Sequence, residues 1–556
     1  MELDAATADV EPTVGTDPAA APRHAQKTDS VARNSALMAM GSLASRILGF
    51  GRQYLFAQVV AASAVATAFN VANSLPNYLL TVLNAGVLNA VLIPQITAAM
   101  KHKDGGQEFV DKLLTAAISA IALLALAGTL LSPWLVDLTN SQQGAALRLS
   151  ILFGLICVPQ VLFYGLYSVL GNVLNARDQF AAFMWAPALA NVVQIAGLGF
   201  FLWKWGLQIN PATWTMPMVW TLAGSTTLGI ATQAFILIPP LVKGGFRYRP
   251  RWGLRGSGLG SASRMVGWTL TALLVSLAGG LLVQIVLTSL PDAPGIGGFA
   301  SYNFAFLIFA LPHGLITVSV ITALFPQMSR AWQGGDVREL RRLLIRALKT
   351  PAVAVIPASA AMIAMADPIV DVMLRLPDSQ SGPVVLALRI MSFGILGYGI
   401  SVLQQRYCYV REEGRDNFYY QGFLTLIQVL SAVLALWFLP DRWVLPAVAL
   451  GLVVGNWGQS LVWMLVARRQ LGGLGLNGVF RLWTRLAIAS VAAGGTAWLA
   501  VYGMSGLGRS WLLSLASCAV AGLCFGLVFV AGAKLLRIRE VDELLAPVLR
   551  RLPIGR

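Results

Sequence analysis

Charge is what this 556-residue chain has least of: Asp, Glu, Lys and Arg together make up 12%, about half the share in ordinary soluble domains. Hydrophobic residues make up 57% before the 54 glycines are counted. A water-soluble body of this size has too few charges to cover its surface, so the chain is expected in a bilayer. Cysteine is scarce as well. Cys157, Cys408, Cys518 and Cys524 lie in or beside apolar stretches with no CxxC pair, which excludes a disulfide framework and a zinc site. Three histidines, His24, His102 and His313, are too few and too scattered for a metal cluster or a proton relay. No GxxxxGKS or GxxxxGKT phosphate loop is present, so the chain does not hydrolyse nucleotide by itself. Neither a metal nor a cofactor is expected, and nothing resembles a catalytic constellation.

Residues 1–33 are polar and rich in Ala and Pro, without the apolar run of a signal peptide; they read as a disordered cytoplasmic tail. From residue 34 onward, apolar runs long enough to cross a hydrocarbon core of ~30 Å recur to the end, fourteen in all. Backbone polar groups inside lipid must be satisfied internally, so the expected fold is all-α, a polytopic membrane protein of fourteen helices. Of the 40 Lys and Arg residues, 32 fall in the tail and loops of one side and five on the other. The positive-inside rule then puts both termini in the cytoplasm. This also accounts for the net charge of +16. The cluster Lys243, Arg247, Arg249, Arg251 and Arg255, and the cluster Arg330, Arg338, Arg341, Arg342 and Arg346, read as orientation signals and contacts to anionic lipid. No nucleic acid is needed.

A repeat is visible. Phe69-Asn70-x-Ala72, Leu75-Pro76, Pro94-Gln95 and Gly105-Gly106 recur as Tyr302-Asn303-x-Ala305, Leu311-Pro312, Pro326-Gln327 and Gly334-Gly335. It divides the chain into an N-terminal six-helix bundle at 34–245 and a C-terminal one at 246–470. The last two helices follow at 471–538, and a cytoplasmic tail at 539–556. Two same-orientation halves with prolines in corresponding places are a transporter pattern, with the pathway between them.

Intramembrane polar groups are costly and therefore informative. None of the 24 acidic residues lies mid-span, Asp367 coming nearest, which disfavours coupling to a cation through a buried carboxylate. The three cations inside spans are all arginines, Arg46, Arg52 and Arg389. Guanidinium groups suit a polyanionic cargo such as a phosphate. Arg46 is expected near mid-bilayer and to line the pathway; Arg52 and Arg389 are equally readable as snorkelling to the interface. Asn70, Asn77 and Asn303 with Pro76, Gly86 and Pro312 mark candidate cavity or helix-break positions. For any one asparagine, an interhelical hydrogen bond is the plainer reading.

Ser45-Arg46-Ile47-Leu48-Gly49-Phe50-Gly51-Arg52, Ala68-Phe69-Asn70-Val71-Ala72, Leu75-Pro76-Asn77, Gly86 and Pro94 resemble the N-terminal signature of the MurJ (MviN) family. Gly171-Asn172-x-Leu174-Asn175, Leu311-Pro312-His313-Gly314 and Gln405-Arg406-Tyr407-x-Tyr409 are similar to later segments of that family, in its actinobacterial type. The resemblance implies a lipid II flippase of the MOP exporter superfamily: two six-helix bundles around a cationic cavity, with helices 13 and 14 forming a groove for the lipid tail. The implied cargo is undecaprenyl-pyrophosphate-linked peptidoglycan precursor, moved from inner to outer leaflet by alternating access. The implied place is the bacterial cell membrane, with membrane lipids and cell-wall synthesis or division proteins as partners. By motif match, Arg46 and Arg52 take the family's cavity-arginine roles on the pyrophosphate. Several family positions differ. Thr67 stands where an aspartate is usual, Leu80 or Thr81 and Leu307 where basic residues are common, and Glu413-Gly414-Arg415-Asp416-Asn417 replaces the family's turn. Arg389, absent from the family pattern, is expected to restore part of the lost positive charge. Another lipid-linked glycan or a drug as cargo, or a non-transporting cell-wall scaffold, are the alternative readings.

Overall fold

A computed structural model describes residues 21–83, 107–177, 179–253, 264–506, 508 and 510–542. Gly86, Pro94-Gln95 and Gly105-Gly106 lie outside them. Among the described residues the secondary structure is helical, with no strand. The first half comprises α1 (Ala21–Val60), α2 (Ala64–Leu83), α3 (Gln107–Thr139), α4 (Ala145–Cys157), α5 (Gln160–Ala176), α6 (Phe180–Trp205), α7 (Met216–Val219), α8 (Ser225–Phe235) and α9 (Ile238–Lys243). The second comprises α10 (Arg264–Thr288), α11 (Phe299–Pro312), α12 (Val318–Gln333), α13 (Val337–Lys349), α14 (Ala352–Ala364), α15 (Ala366–Leu374), α16 (Asp378–Ser392), α17 (Ile395–Val410), α18 (Gly414–Phe438) and α19 (Asp441–Gln470). The last pair is α20 (Leu476–Ser505) and α21 (Trp511–Leu535).

Among the described residues, eleven spans are long and apolar enough to cross a membrane, and α16 with α17, bent by 55°, makes a twelfth if the pair is one span. α1 and α2 are not among them. Their arginines and asparagines dilute the apolar run, as helices facing a polar pathway require. Counting both as spans is compatible with the expected fourteen. α1 begins at Ala21 rather than at residue 34, so 21–33 of the expected disordered tail is helical. The Ala-rich segment has good helix propensity, and Pro22 occupies a first-turn position that needs no amide donor.

Several spans are interrupted where the sequence carries proline. Val158 and Pro159 separate α4 from α5, and Pro312 is followed by a π-helical turn at His313–Thr317. A second π turn, Trp220–Gly224, joins α7 to α8. Helices approach closely where a glycine faces a neighbour. A Cβ on Gly279 of α10 would lie 2.1 Å from Thr425 Cγ2 of α18, so the bare backbone is what lets that pair pack. α1 packs along α6, α6 on α8, α10 on α18 and α18 on α19, while α20 and α21 dock on the second half through α13, α14 and α15.

The halves are joined at the end where α1 meets α2, here termed the closed end. Gln58 Nε2 donates to Leu374 O at 2.7 Å, and the Ala62 N–H donates to Gln380 Oε1 at 2.8 Å. Gln284 Nε2 donates to Thr139 O at 2.9 Å, and the Ser141 N–H to Thr288 Oγ1 at 2.9 Å. The Phe56 ring bridges both sides, 5.1 Å from Phe69 and 6.1 Å from Phe304. The first turns of the repeat-related helices α2 and α11 are each capped from the other half here. Asp292 of the second half accepts from the Ala64 N–H of α2 at 2.9 Å, and Thr67 Oγ1 of α2 accepts from the Ala300 N–H of α11 at 3.3 Å. First-turn amides have no intrahelical partner, so each half satisfies a donor that the other leaves open. The basic residues Lys243, Arg330, Arg468 and Lys534 sit in the last turns of α9, α12, α19 and α21, at the opposite end.

Candidate functional site

The site is built on α1. At 1.5 Å per residue, Arg46 lies about 21 Å and Arg52 about 12 Å along the helix from Val60. Six residues turn them onto different faces. Arg46 is exposed, beside Leu43 and Ile47, which are 57% and 61% exposed. Arg52 is turned toward the other helices of its own half. Its Nη1 donates to Gln194 Oε1 on α6 at 3.0 Å, and its Nε is shielded without a partner. α1 is set against α6 by Asn191, whose Nδ2 donates to Ser45 O at 3.0 Å.

Arg389 is placed elsewhere. It forms an ion pair with Asp367 of α15. Asp367 lines a cavity of about 550 Å³ between the second half and α20–α21, whose walls include Trp498, Tyr502 and Ser514 but neither Arg46 nor Arg52. The charge-restoring role expected for Arg389 beside the other two arginines therefore has no geometry behind it. Asp371 is 6% exposed, lines that cavity and a neighbouring one of about 380 Å³, and accepts a hydrogen bond from Ser514 Oγ. A carboxylate buried at a span end escaped sequence reading, because hydropathy does not tell which helix will cover it.

The amides divide. Asn77 Nδ2 donates to Asn73 O of its own helix at 3.2 Å, and Asn303 Nδ2 to Phe299 O at 2.9 Å. Both therefore bond within their helix instead of across to a neighbour. Asn70 is half-buried, Pro76 is buried within α2, and Pro312 ends α11 just before the π turn. Arg406, in the third resembling segment, stacks on Phe325 at 5.3 Å. No group of His, Cys, Asp and Glu able to hold a metal occurs among the described residues.

Gln194 and Thr67 are the residues that sequence reading missed as partners. For Gln194 a signal existed: it follows Asn191 by three positions and so shares its helix face. Thr67 was visible only as a departure from a pattern.

Comparison with known proteins adds a common identity for this arrangement. The family profile described as lipid II flippase MurJ matches residues 56–515. A probable lipid II flippase MurJ of Synechocystis is 25% identical over 545 residues, covering 93% of this chain and 96% of its own length. The lipid II flippase MurJ of Burkholderia cenocepacia is 26% identical over 518 residues, covering 89% and 96%. A solved lipid II flippase MurJ in an inward closed conformation superposes with a TM-score of 0.69 at 18% identity, over 91% of this chain and 100% of its own. An inward-facing multidrug resistance MATE transporter of the MOP superfamily reaches 0.60 at 17% identity, over 77% and 94%. At those identities the structural matches speak for the fold.

Proposed function

The chain belongs to the MurJ lipid II flippase family, and on that premise we propose that it carries lipid II from the inner to the outer leaflet of the bacterial cell membrane. The observation that supports this most directly is the pair of arginines on α1, one exposed and one held in reserve against α6. A lipid-linked pyrophosphate presents two phosphates that guanidinium groups recognise. The cytoplasmic side is the end opposite the closed end, where the basic helix ends gather and from which α1 enters. The 34–245 and 246–470 segments act as two six-helix bundles, rocking about the closed-end contacts, and α20–α21 guide the isoprenoid tail in lipid.

Arg46 meets the pyrophosphate first. Arg52 then engages it from within the first half, and separation of the halves at the closed end releases the head group outward. Outward movement of an anion is favoured by about 2.3 kcal/mol per charge per 100 mV, inside negative, and the drive of this proposal is the membrane potential. Cell-wall synthesis proteins that consume lipid II on the outer leaflet are the partners this reading implies.

The test is complementation. The host's own flippase is depleted, this chain is expressed, and lipid II exposed on the outer leaflet is measured. Restored exposure supports transport. A correctly inserted protein that restores nothing sinks the proposal and favours a cell-wall scaffold.

A further inference from the structure

Arg52 is a charged side chain inside a helical bundle, and such a group needs partners. The partner it has is neutral. Gln194 is 5% exposed, and its Oε1 takes Nη1 of Arg52 at 3.0 Å. Space for it is made by Gly229 of α8: a Cβ there would lie 2.9 Å from Gln194 Cγ and 3.0 Å from its Nε2. The register of α6 on α1 is set one turn away by the Asn191 amide on Ser45 O. The guanidinium is thus held at one nitrogen, with Nε shielded, which leaves Nη2 as the nitrogen that meets a ligand.

The choice of an amide matters. A carboxylate at position 194 would hold the same nitrogen and also form a charge-assisted pair, cancelling the positive charge that an anion must find. An apolar residue would keep the charge and lose the aim. A glutamine keeps both the charge and the aim.

We propose that Gln194 is the positioning residue for Arg52: it orients the guanidinium without neutralising it, so that Nη2 receives a phosphate oxygen of the lipid-linked pyrophosphate. This rests on the reading of the α1 arginines as pyrophosphate ligands.

The test measures lipid II binding to the full chain in lipid nanodiscs and flipping in proteoliposomes as separate quantities. Gln194→Glu keeps volume and acceptor, exchanges the Nε2 donor for a second oxygen and adds a negative charge; Gln194→Leu keeps packing and removes the acceptor. Both are expected to weaken lipid II binding about ten-fold or more, raising KM while the maximal rate stays within about two-fold. A purely structural Gln194 tolerates Glu, because the side chain still fills its place beside Gly229. Wild-type affinity in either variant overturns the inference. A wild-type protein that binds lipid II but does not flip it sinks the flippase reading and leaves the Gln194 assignment standing, so the two failures are distinguishable.

Discussion

Thr67→Val isolates one strut of the closed end. Thr67 is 6% exposed and Ala300 1% exposed, and the hydroxyl accepts the first-turn Ala300 N–H of α11 across the interface between the halves. Valine has nearly the shape of threonine, so packing is kept and only the acceptor is lost. In the closed arrangement the N–H is then buried without a partner; once the halves separate there, water takes the role. The penalty therefore falls on one state. An unsatisfied buried donor costs about 1–3 kcal/mol, and the 3.3 Å length of this bond puts it at the low end. About 1 kcal/mol corresponds to a roughly five-fold shift toward opening of the closed end. Spin labels replacing Ile209 and Phe438, exposed positions on the two halves, report that separation as a distance distribution. Thr67→Ser keeps the acceptor and is expected to match wild type. An unchanged distribution in Thr67→Val, or a shift toward the shorter distance, refutes the reciprocal-cap argument.

Removing the opposite strut by Asp292→Ala is expected to move the same distribution in the same direction, by less than Thr67→Val because the carboxylate is exposed. Arg46→Ala is expected to abolish lipid II exposure in the complementation assay, whereas Arg389→Ala leaves it intact and lowers thermal stability by at most about 1 kcal/mol, the ceiling for a partly exposed ion pair. Loss of transport in Arg389→Ala would restore that residue to the pathway. Trp463 is fully buried with its Nε1 unpartnered. Trp463→Ala is therefore expected to cost about 3–5 kcal/mol in detergent unfolding, and Trp463→Phe far less, since it removes the orphan donor along with part of the ring. Gly279→Ala is expected to destabilise by about 1–3 kcal/mol, read as a lower melting temperature, because the new methyl meets Thr425 of α18; an unchanged temperature means α10 and α18 are free to part.

Hydropathy and positional charge, both one-dimensional, carried the reading far. Helical spans from Gln107–Thr139 through Trp511–Leu535 fall within a few residues of the apolar runs, because a bilayer demands a length and an apolarity that a chain displays locally. Arg46 and Arg52 stood out for the same reason: an arginine in an apolar run is conspicuous whatever surrounds it. Face and partner were another matter. Six residues of helix separate an exposed Arg46 from an Arg52 bound to Gln194, and only the packing of α1 on α6 sets which arginine is which. In sequence Arg389 reads like Arg52; in the structure Asp367 lies beside it. Thr67, readable only as a missing carboxylate, serves as an acceptor for a helix 233 positions away. Composition and periodicity determined that this chain is a helical membrane protein with two guanidinium groups inside its first span and a third, Arg389, in a later one. Tertiary structure decided which of those charges faces a ligand, which is held by an amide and which is already paired, because hydrogen bonds and ion pairs act over about 3 Å between residues that the sequence keeps far apart.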